Sequence, residues 1–310
     1  MANLALIHAL PKAELHLHLE GTVDPETLVE LSRQHDSDPL TIEQAYRLYE
    51  YPDFHGFMMA FKAVTQRLHT PEDFELVTYR MMERLHRQRV LHAEVYVSVG
   101  VVHWRQAEFE PLFEGIERGR ERGERDFRVS VLWIFDAVRH FGVEAARAVF
   151  ETAARYKHRN VVGVGLGGDE RKGPAEPFRH LYEYAAENGL RRTAHAGETT
   201  GPESIWAALN IGAERLGHVL SAPNDAELIE VLAERQIPVE ICLSSNVRTG
   251  CLADMRQHPL RRMFEEGLLV TLNTDDPTMF HTSLNHEYEL AQDLFEFSDE
   301  HLRELARNSL

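Results

Sequence analysis

Cysteine is nearly absent: Cys242 and Cys251 are the only two in 310 residues. A secreted disulfide framework needs more, so both are read as reduced and structural. No stretch approaches the ~18 uninterrupted apolar residues of a membrane span. The opening Met1-Ala2-Asn3-Leu4-Ala5-Leu6 has no basic segment leading into an apolar run. Neither a membrane anchor nor a signal peptide is therefore expected, and a cytoplasmic location is the default. Linkers, low-complexity tracts and short repeats are missing as well, which leaves 1–310 as one domain. Positive charge is scarce, with 33 Lys and Arg against 50 Asp and Glu, a net charge of -17. That balance repels a phosphate backbone, so nucleic acid is excluded as the main partner. A neutral or weakly cationic small molecule fits better. Nothing in the sequence speaks to oligomeric state.

What is present is ordinary in bulk and unusual in detail. Hydrophobic residues make up 43% and charged residues 27%, as in a typical globular protein. The length suits one large α/β barrel or two smaller domains. Near the start stands Ala13-Glu14-Leu15-His16-Leu17-His18-Leu19-Glu20-Gly21. In a strand, alternate side chains face opposite ways. His16 and His18 then share one face while Leu15, Leu17 and Leu19 share the other. The leucine face packs under helices; the paired imidazoles suit a metal ion better than a core. Gly21 and Pro25 end the strand, placing the pair at its C-terminal mouth.

Asp24-Pro25-Glu26 reads as an N-cap followed by proline in the first helical turn. Residues 36–40 read as a loop, and 41–89 as mostly helical, with capping-box spacing from Thr70 to Asp73. This block is too long for one crossover and is read as a helical insertion after strand one. Tyr51, Phe54, Phe57 and Phe61 recur within it at near-helical spacing. Core packing is the favoured role; a lid over an apolar substrate is the other. Beyond it strands alternate with helices: 91–99, 128–135 ending at Asp136, 161–166, 192–195, 215–219, 237–243 and 268–274. Helix starts at Gly201-Pro202-Glu203 and Pro223-Asn224-Asp225, and stops at Gly189 and Gly267, lie between them. Counting the first, about eight strands each precede a helix, which predicts a closed (β/α)8 TIM barrel. A doubly wound open sheet is the competitor.

In such a barrel, chemistry sits at the C-terminal strand ends. Strand one offers His16 and His18, strand four Gly167-Gly168, strand five His195 with Glu198 beyond it, strand six His218, and strand eight Asp275 and Asp276. Singly each has a structural explanation; an Asp-Asp-Pro sequence is usually a turn with a helix cap. Together they converge on one rim. Three imidazoles and a carboxylate suit a borderline divalent cation, most simply Zn²⁺. Such a cation lowers the pKa of a bound water towards about 7. A further His can take that water's proton or orient it, and a further carboxylate can protonate a substrate. The inventory describes metal-assisted hydrolysis.

His16-Leu17-His18-Leu19-Glu20-Gly21, His195-Ala196-Gly197-Glu198, Leu216-Gly217-His218 and Leu272-Asn273-Thr274-Asp275-Asp276-Pro277 resemble, in order, the adenosine and adenine deaminases of the amidohydrolase superfamily. The resemblance spans nearly the whole chain. It implies one zinc in the barrel, held by His16, His18, His195 and Asp275, and replacement of a purine 6-amino group by oxygen with release of ammonia. It further implies that Glu198 protonates N1 of the ring, and that His218 orients and deprotonates the attacking water, which Asp275 also contacts. Asp276 would meet N7, and the Gly168 N–H would meet N3. Partial burial would raise Glu198 for that role.

Some features depart from the best-known adenosine enzymes. Those have Asp where this chain has Glu20, and that carboxylate contacts the ribose 5′-hydroxyl. Glu20 looks more like adenine deaminases, either touching substrate or merely closing the strand. Gly165-Leu166-Gly167-Gly168-Asp169-Glu170 keeps the Gly-Asp-Glu ending of adenosine enzymes. The mixture also suits bacterial members acting on a 5′-modified nucleoside such as aminodeoxyfutalosine. Ser244-Ser245-Asn246 is read as a polar turn, with lining of the mouth as the alternative, and Glu170 as a cap of the next helix. Two other readings stay open: a different hydrolysis at the metal, and a purine-binding barrel without turnover. A two-metal site is disfavoured because strand four offers no lysine to bridge. The chain closes in a helical pattern at Ala306-Arg307-Asn308-Ser309-Leu310, so a longer natural C-terminus is an open expectation.

Overall fold

The computed structural model describes residues 2–310. Its strands are β1 (Lys12–His18), β2 (Val90–Val97), β3 (Ser130–Val138), β4 (Val161–Gly167), β5 (Arg191–Ala196), β6 (Arg215–His218), β7 (Pro238–Ile241) and β8 (Leu269–Leu272). Each pairs in parallel with the next, in chain order. The ring closes where β1 meets the residues after β8. Leu17 bridges to Asp275, the His18 N–H donates to Asp275 O (2.8 Å), and the Asp275 N–H donates to His16 O (3.0 Å). Below that bridge, side chains take the place of the ladder. Asn273 Oδ1 accepts the N–H groups of Leu15 (2.8 Å) and His16 (3.1 Å), and Glu14 Oε1 accepts the Thr274 N–H (3.1 Å). The expected (β/α)8 barrel is present: helices cover the outer strand faces and the side chains of the barrel interior cover the inner ones, as the β-branched runs require.

The helical insertion also stands as expected, with helices Pro25–His35, Ile42–Leu48, Phe54–Thr65 and Pro71–Arg87 between β1 and β2. Asp24 accepts the Thr27 N–H with Pro25 in the first turn, and Thr70 and Asp73 cap each other reciprocally. Helix Pro71–Arg87 lies against helix Phe109–Phe127 along Gly115, Gly119 and Gly123, spaced on one face. A Cβ on Gly115 would stand 1.9 Å from Pro71 O, so only glycine lets these backbones touch.

Among the strand ends that differ from the sequence reading, two bear on the site. β3 runs on to Val138, which makes Asp136 a strand residue rather than the residue that ends it. β7 stops at Ile241, and the chain turns at once into a short helix, Leu243–Arg248. Ser244, Ser245 and Asn246 are the buried first turn of that helix and not a polar turn. No helix among the described residues is long and apolar enough to cross a membrane.

Candidate active site

Alternation along β1 aims His16 and His18 into the barrel mouth, where β5, β6 and the residues after β8 bring His195, His218, Asp275 and Asp276. His218 and Asp275 have φ of +67° and +65°. Non-glycine residues rarely adopt that region, and such strain concentrates where a side chain must be aimed. His18 Nε2 is 3.2 Å from both His195 Nε2 and Asp275 Oδ1, and His16 Nε2 is 3.4 Å from Asp275 Oδ1. Donor atoms that share a tetrahedral cation at 2.0–2.1 Å lie about 3.3 Å apart. The spacing fits a bound divalent ion. His16 Nε2 is buried with no directed hydrogen-bond partner among the described residues, although it approaches Asp275. Ligand atoms of His16, His195, His218 and Asp275 all lie within 4.8 Å of one another, as do those of His18, Asp275 and Asp276. The four expected ligands are thus together, with His218 and Asp276 beside them.

The groups around this cluster set its charges. His16 Nδ1–H donates to Glu240 Oε2 (2.7 Å), and Glu240 is itself paired with Arg215. This turns Nε2 of His16 towards the cluster, and Glu240 is the usual outer support of a metal-binding imidazole. Burial pushes His16 down, but Glu240 and Asp275 outweigh it and raise it to about 10. Burial lowers His18 and His218 to about 4 and holds His195 well down, so these rings are neutral, as ligands must be. Burial opposes the charge on Asp275, yet His16, then His218 and His18, hold it well below the usual carboxylate range. Its Oδ2 also accepts from Ser245 Oγ (2.7 Å). Neighbouring Asp276 goes the other way, raised by burial and then by the charge of Asp275. Glu198 is likewise raised well above its ordinary value, by burial first and Asp275 second. It stands 3.9 Å from His218 Nε2. A buried carboxyl whose proton is held more tightly than usual therefore faces the cluster.

These residues floor a pocket that opens at the barrel mouth. Gly168 lines it with φ +90°, and a Cβ there would meet His140 Nδ1 at 2.9 Å. Phe54, Phe57, Met58 and Phe61 form an apolar wall. Those aromatics pack on one another and on Phe280 as well, so core packing and lining coexist. No Lys or Arg is among the lining side chains. Glu20 does not line the cavity: it is 1% exposed, behind Ser98, whose N–H it accepts (3.0 Å). Direct ligand contact by Glu20 is thus not seen; burial raises it to about 7.

Sequence reasoning missed several contributors. Asp136 faces the cavity with Oδ1 unpartnered among the described residues, and burial raises it to about 7. Its inward position on β3 was the available signal. Glu240 reaches the site only through the fold, whereas Ser245 and Asn246 follow the less favoured of the two sequence readings and meet Asp275 and His218 at the mouth. Glu170 does not cap the next helix. It accepts the N–H groups of Gly197 (2.9 Å), Glu198 (2.9 Å) and Thr199 (3.3 Å), and so holds the turn that carries Glu198. Cys242 and Cys251 are both free thiols, with Cys251 Sγ 3.9 Å from Glu198 Oε1.

The sequence model of the family described as Adenosine deaminase matches residues 11–310. The aminodeoxyfutalosine deaminase of Streptomyces avermitilis is 36% identical over 311 residues, covering 99% of this chain and 87% of that protein. The crystal structure of an adenine deaminase from Arthrobacter aurescens superposes with a TM-score of 0.92 at 33% identity, covering 97% of this chain and 92% of that one. An amidohydrolase from Burkholderia ambifaria, solved with bound Zn, gives a TM-score of 0.90 at 25% identity, covering 100% and 87%. Fold, strand-end chemistry and these likenesses agree: the chain belongs to the adenosine/adenine deaminase family of the amidohydrolase superfamily, metal-dependent hydrolases that act on the C–N bond of a cyclic amidine.

Proposed function

We propose that residues 1–310 form one catalytic domain that hydrolyses the 6-amino group of a purine nucleoside, adenosine or a 5′-modified adenosine, with one zinc ion per chain. The observation that carries this reading is the ligand spacing of His18, His195 and Asp275, with the buried Glu198 carboxyl beside it, 3.9 Å from His218 Nε2. His16, His18, His195 and Asp275 hold the ion. When bound, it supplies a water acidic enough to attack at neutral pH. Glu198 delivers its proton to N1, which makes C6 electrophilic. His218 orients the attacking water. Asp276 meets N7 and the Gly168 N–H meets N3, so the ring enters with one edge on each. The zinc in one solved relative supports the choice of metal.

A nucleoside is favoured over the free base because the cavity continues outward. An outer cleft lined by His140, Arg171 and Lys172 shares Phe54, Met58 and Glu198 with it. The apolar wall suits an aryl or otherwise apolar 5′ group, and adenine deamination is the second reading, favoured by the structural likeness. Glu20 acts through Ser98 rather than by touching the ligand. A panel of adenine, adenosine and 5′-modified adenosines, read by ammonia release, tests the proposal. The nucleosides are expected to turn over fastest. Adenine as the best substrate would remove the nucleoside clause, and no ammonia from any 6-aminopurine would remove the reaction.

A further inference from the structure

A row of buried hydrogen bonds runs from the outer edge of the barrel to His218. Its far end is a backbone amide, Leu260 N–H, which donates to His258 Nδ1 (3.0 Å). His258 is 4% exposed, and burial pushes it down to about 3, so its ring carries a single proton. An amide N–H can only donate, which leaves that proton on His258 Nε2. His258 Nε2 is 3.2 Å from Asn246 Oδ1 and donates to it. The carbonyl end of the Asn246 amide is thereby committed outward, and its NH₂ end points inward. Asn246 Nδ2 lies 3.2 Å from His218 Nδ1 and donates to it.

The direction of every bond follows from the first, and the chain reaches His218 with one polarity. Nδ1 of His218 is an acceptor, so the proton of the neutral ring sits on Nε2. Nε2 is the atom that faces Glu198 Oε2 and Asp275 Oδ2, each 3.9 Å away. The His258 Nε2–H donor sets which way the Asn246 amide faces, and the backbone of Asn246 is fixed as well. The residue is fully buried, its N–H donates to Cys242 O (3.1 Å), and its carbonyl accepts from Leu252 N–H (2.8 Å).

We propose that Asn246 and His258 are positioning residues that keep the His218 proton on Nε2, so that His218 meets the attacking water oxygen as a hydrogen-bond donor. Two consequences follow. His218 does not serve as a fifth ligand through Nε2, although it stands in the ligand cluster. It also cannot accept a proton at Nε2 until it loses the one it holds. Its contribution is orientation and stabilisation of negative charge on the oxygen, not abstraction of the first proton. This rests on the reading of His218 as the residue beside the attacking water.

The test starts with the unmutated, zinc-loaded enzyme. With ¹⁵N-labelled histidine, long-range ¹H–¹⁵N correlations report which ring nitrogen is protonated; the His218 signals are those lost in His218→Gln. A proton on Nε2 alone is expected. A proton on Nδ1, or on both nitrogens, overturns the proposal. Asn246→Asp then keeps the size and the His258 contact but replaces the inward donor by an acceptor, which draws the His218 proton to Nδ1. Since a catalytic imidazole in the wrong tautomer can lose up to ~10⁴ in kcat, a fall of roughly 10²-fold or more is expected. KM is expected to stay within about threefold, because ring binding is untouched. Zinc content should not change. An Asn246→Asp enzyme with wild-type kcat and an unmoved proton overturns the proposal too. If that variant does not fold, the unmutated spectrum decides alone. An Nε2 proton in an enzyme that releases no ammonia from any 6-aminopurine supports the tautomer while refuting the reaction, so the two readings fail separately.

Discussion

At the start of β1, Lys12 and Glu14 are buried against the C-terminal helices. Lys12 Nζ donates to Ile7 O (2.7 Å) and Leu10 O (2.8 Å), and Glu14 accepts from the Thr274 N–H and hydroxyl. Four residues further along the same strand, His16 and His18 are just as buried, yet His16 Nε2, His195 Nδ1, Asp136 Oδ1 and Asp276 Oδ1 have no hydrogen-bond partner among the described residues. A register shift between Glu14 and Leu17 separates the two regimes. Buried polar groups are nearly always paired, so one end of the strand is ordinary and the other is not. The difference teaches where stability was given up. The seam closes the barrel; the mouth keeps lone pairs free for an ion and a ring, and the fold around it bears that cost.

The comparison can be broken most sharply at the mouth. Glu198→Gln removes the acid but no expected ligand, so kcat should fall by ~10²–10⁴ with metal retained. Elemental analysis showing metal loss would make Glu198 a ligand instead. Because burial and Asp275 keep Glu198 protonated well above its ordinary value, kcat/KM should decline as pH rises through that raised value and the acid is lost. Ammonia release across a pH series checks this, and activity that climbs steadily with pH would contradict it.

A smaller effect is expected one layer out. Ser245→Ala removes the hydroxyl that Asp275 Oδ2 accepts from, and metal affinity should drop about 10- to 100-fold, measured by chelator competition. Unchanged affinity would confine Ser245 to packing. The least effect is expected at the seam. Lys12→Met should leave kcat and KM untouched. Burial lowers Lys12 from 10.5 to about 8, so its charge costs the folded state below about 8. That cost lifts as pH rises towards 10.5, because the unfolded chain then binds the extra proton. Denaturant unfolding should show the unmutated protein gaining stability over that window relative to Lys12→Met. A parallel pH dependence in both would mean that the Lys12 charge is not strained.

The sequence by itself determined the barrel and most of its reactive rim. Strand alternation carries His16 and His18 to one face whatever surrounds them, and the chain order of strand ends places His195, His218 and Asp275 on the same rim. Caps at Asp24 and Thr70 are local, so they were legible too. Tertiary structure alone decided which second group each of these meets. Glu240 behind His16, Ser245 behind Asp275, Glu170 behind the Glu198 turn and His258 behind Asn246 lie 224, 30, 28 and 12 residues away in sequence. Nothing periodic marks such pairs. Burial, which sets the direction of the Glu198 and Asp276 shifts, is likewise a property of the closed barrel, because a carboxyl loses its water only when the other strands and the helical wall surround it.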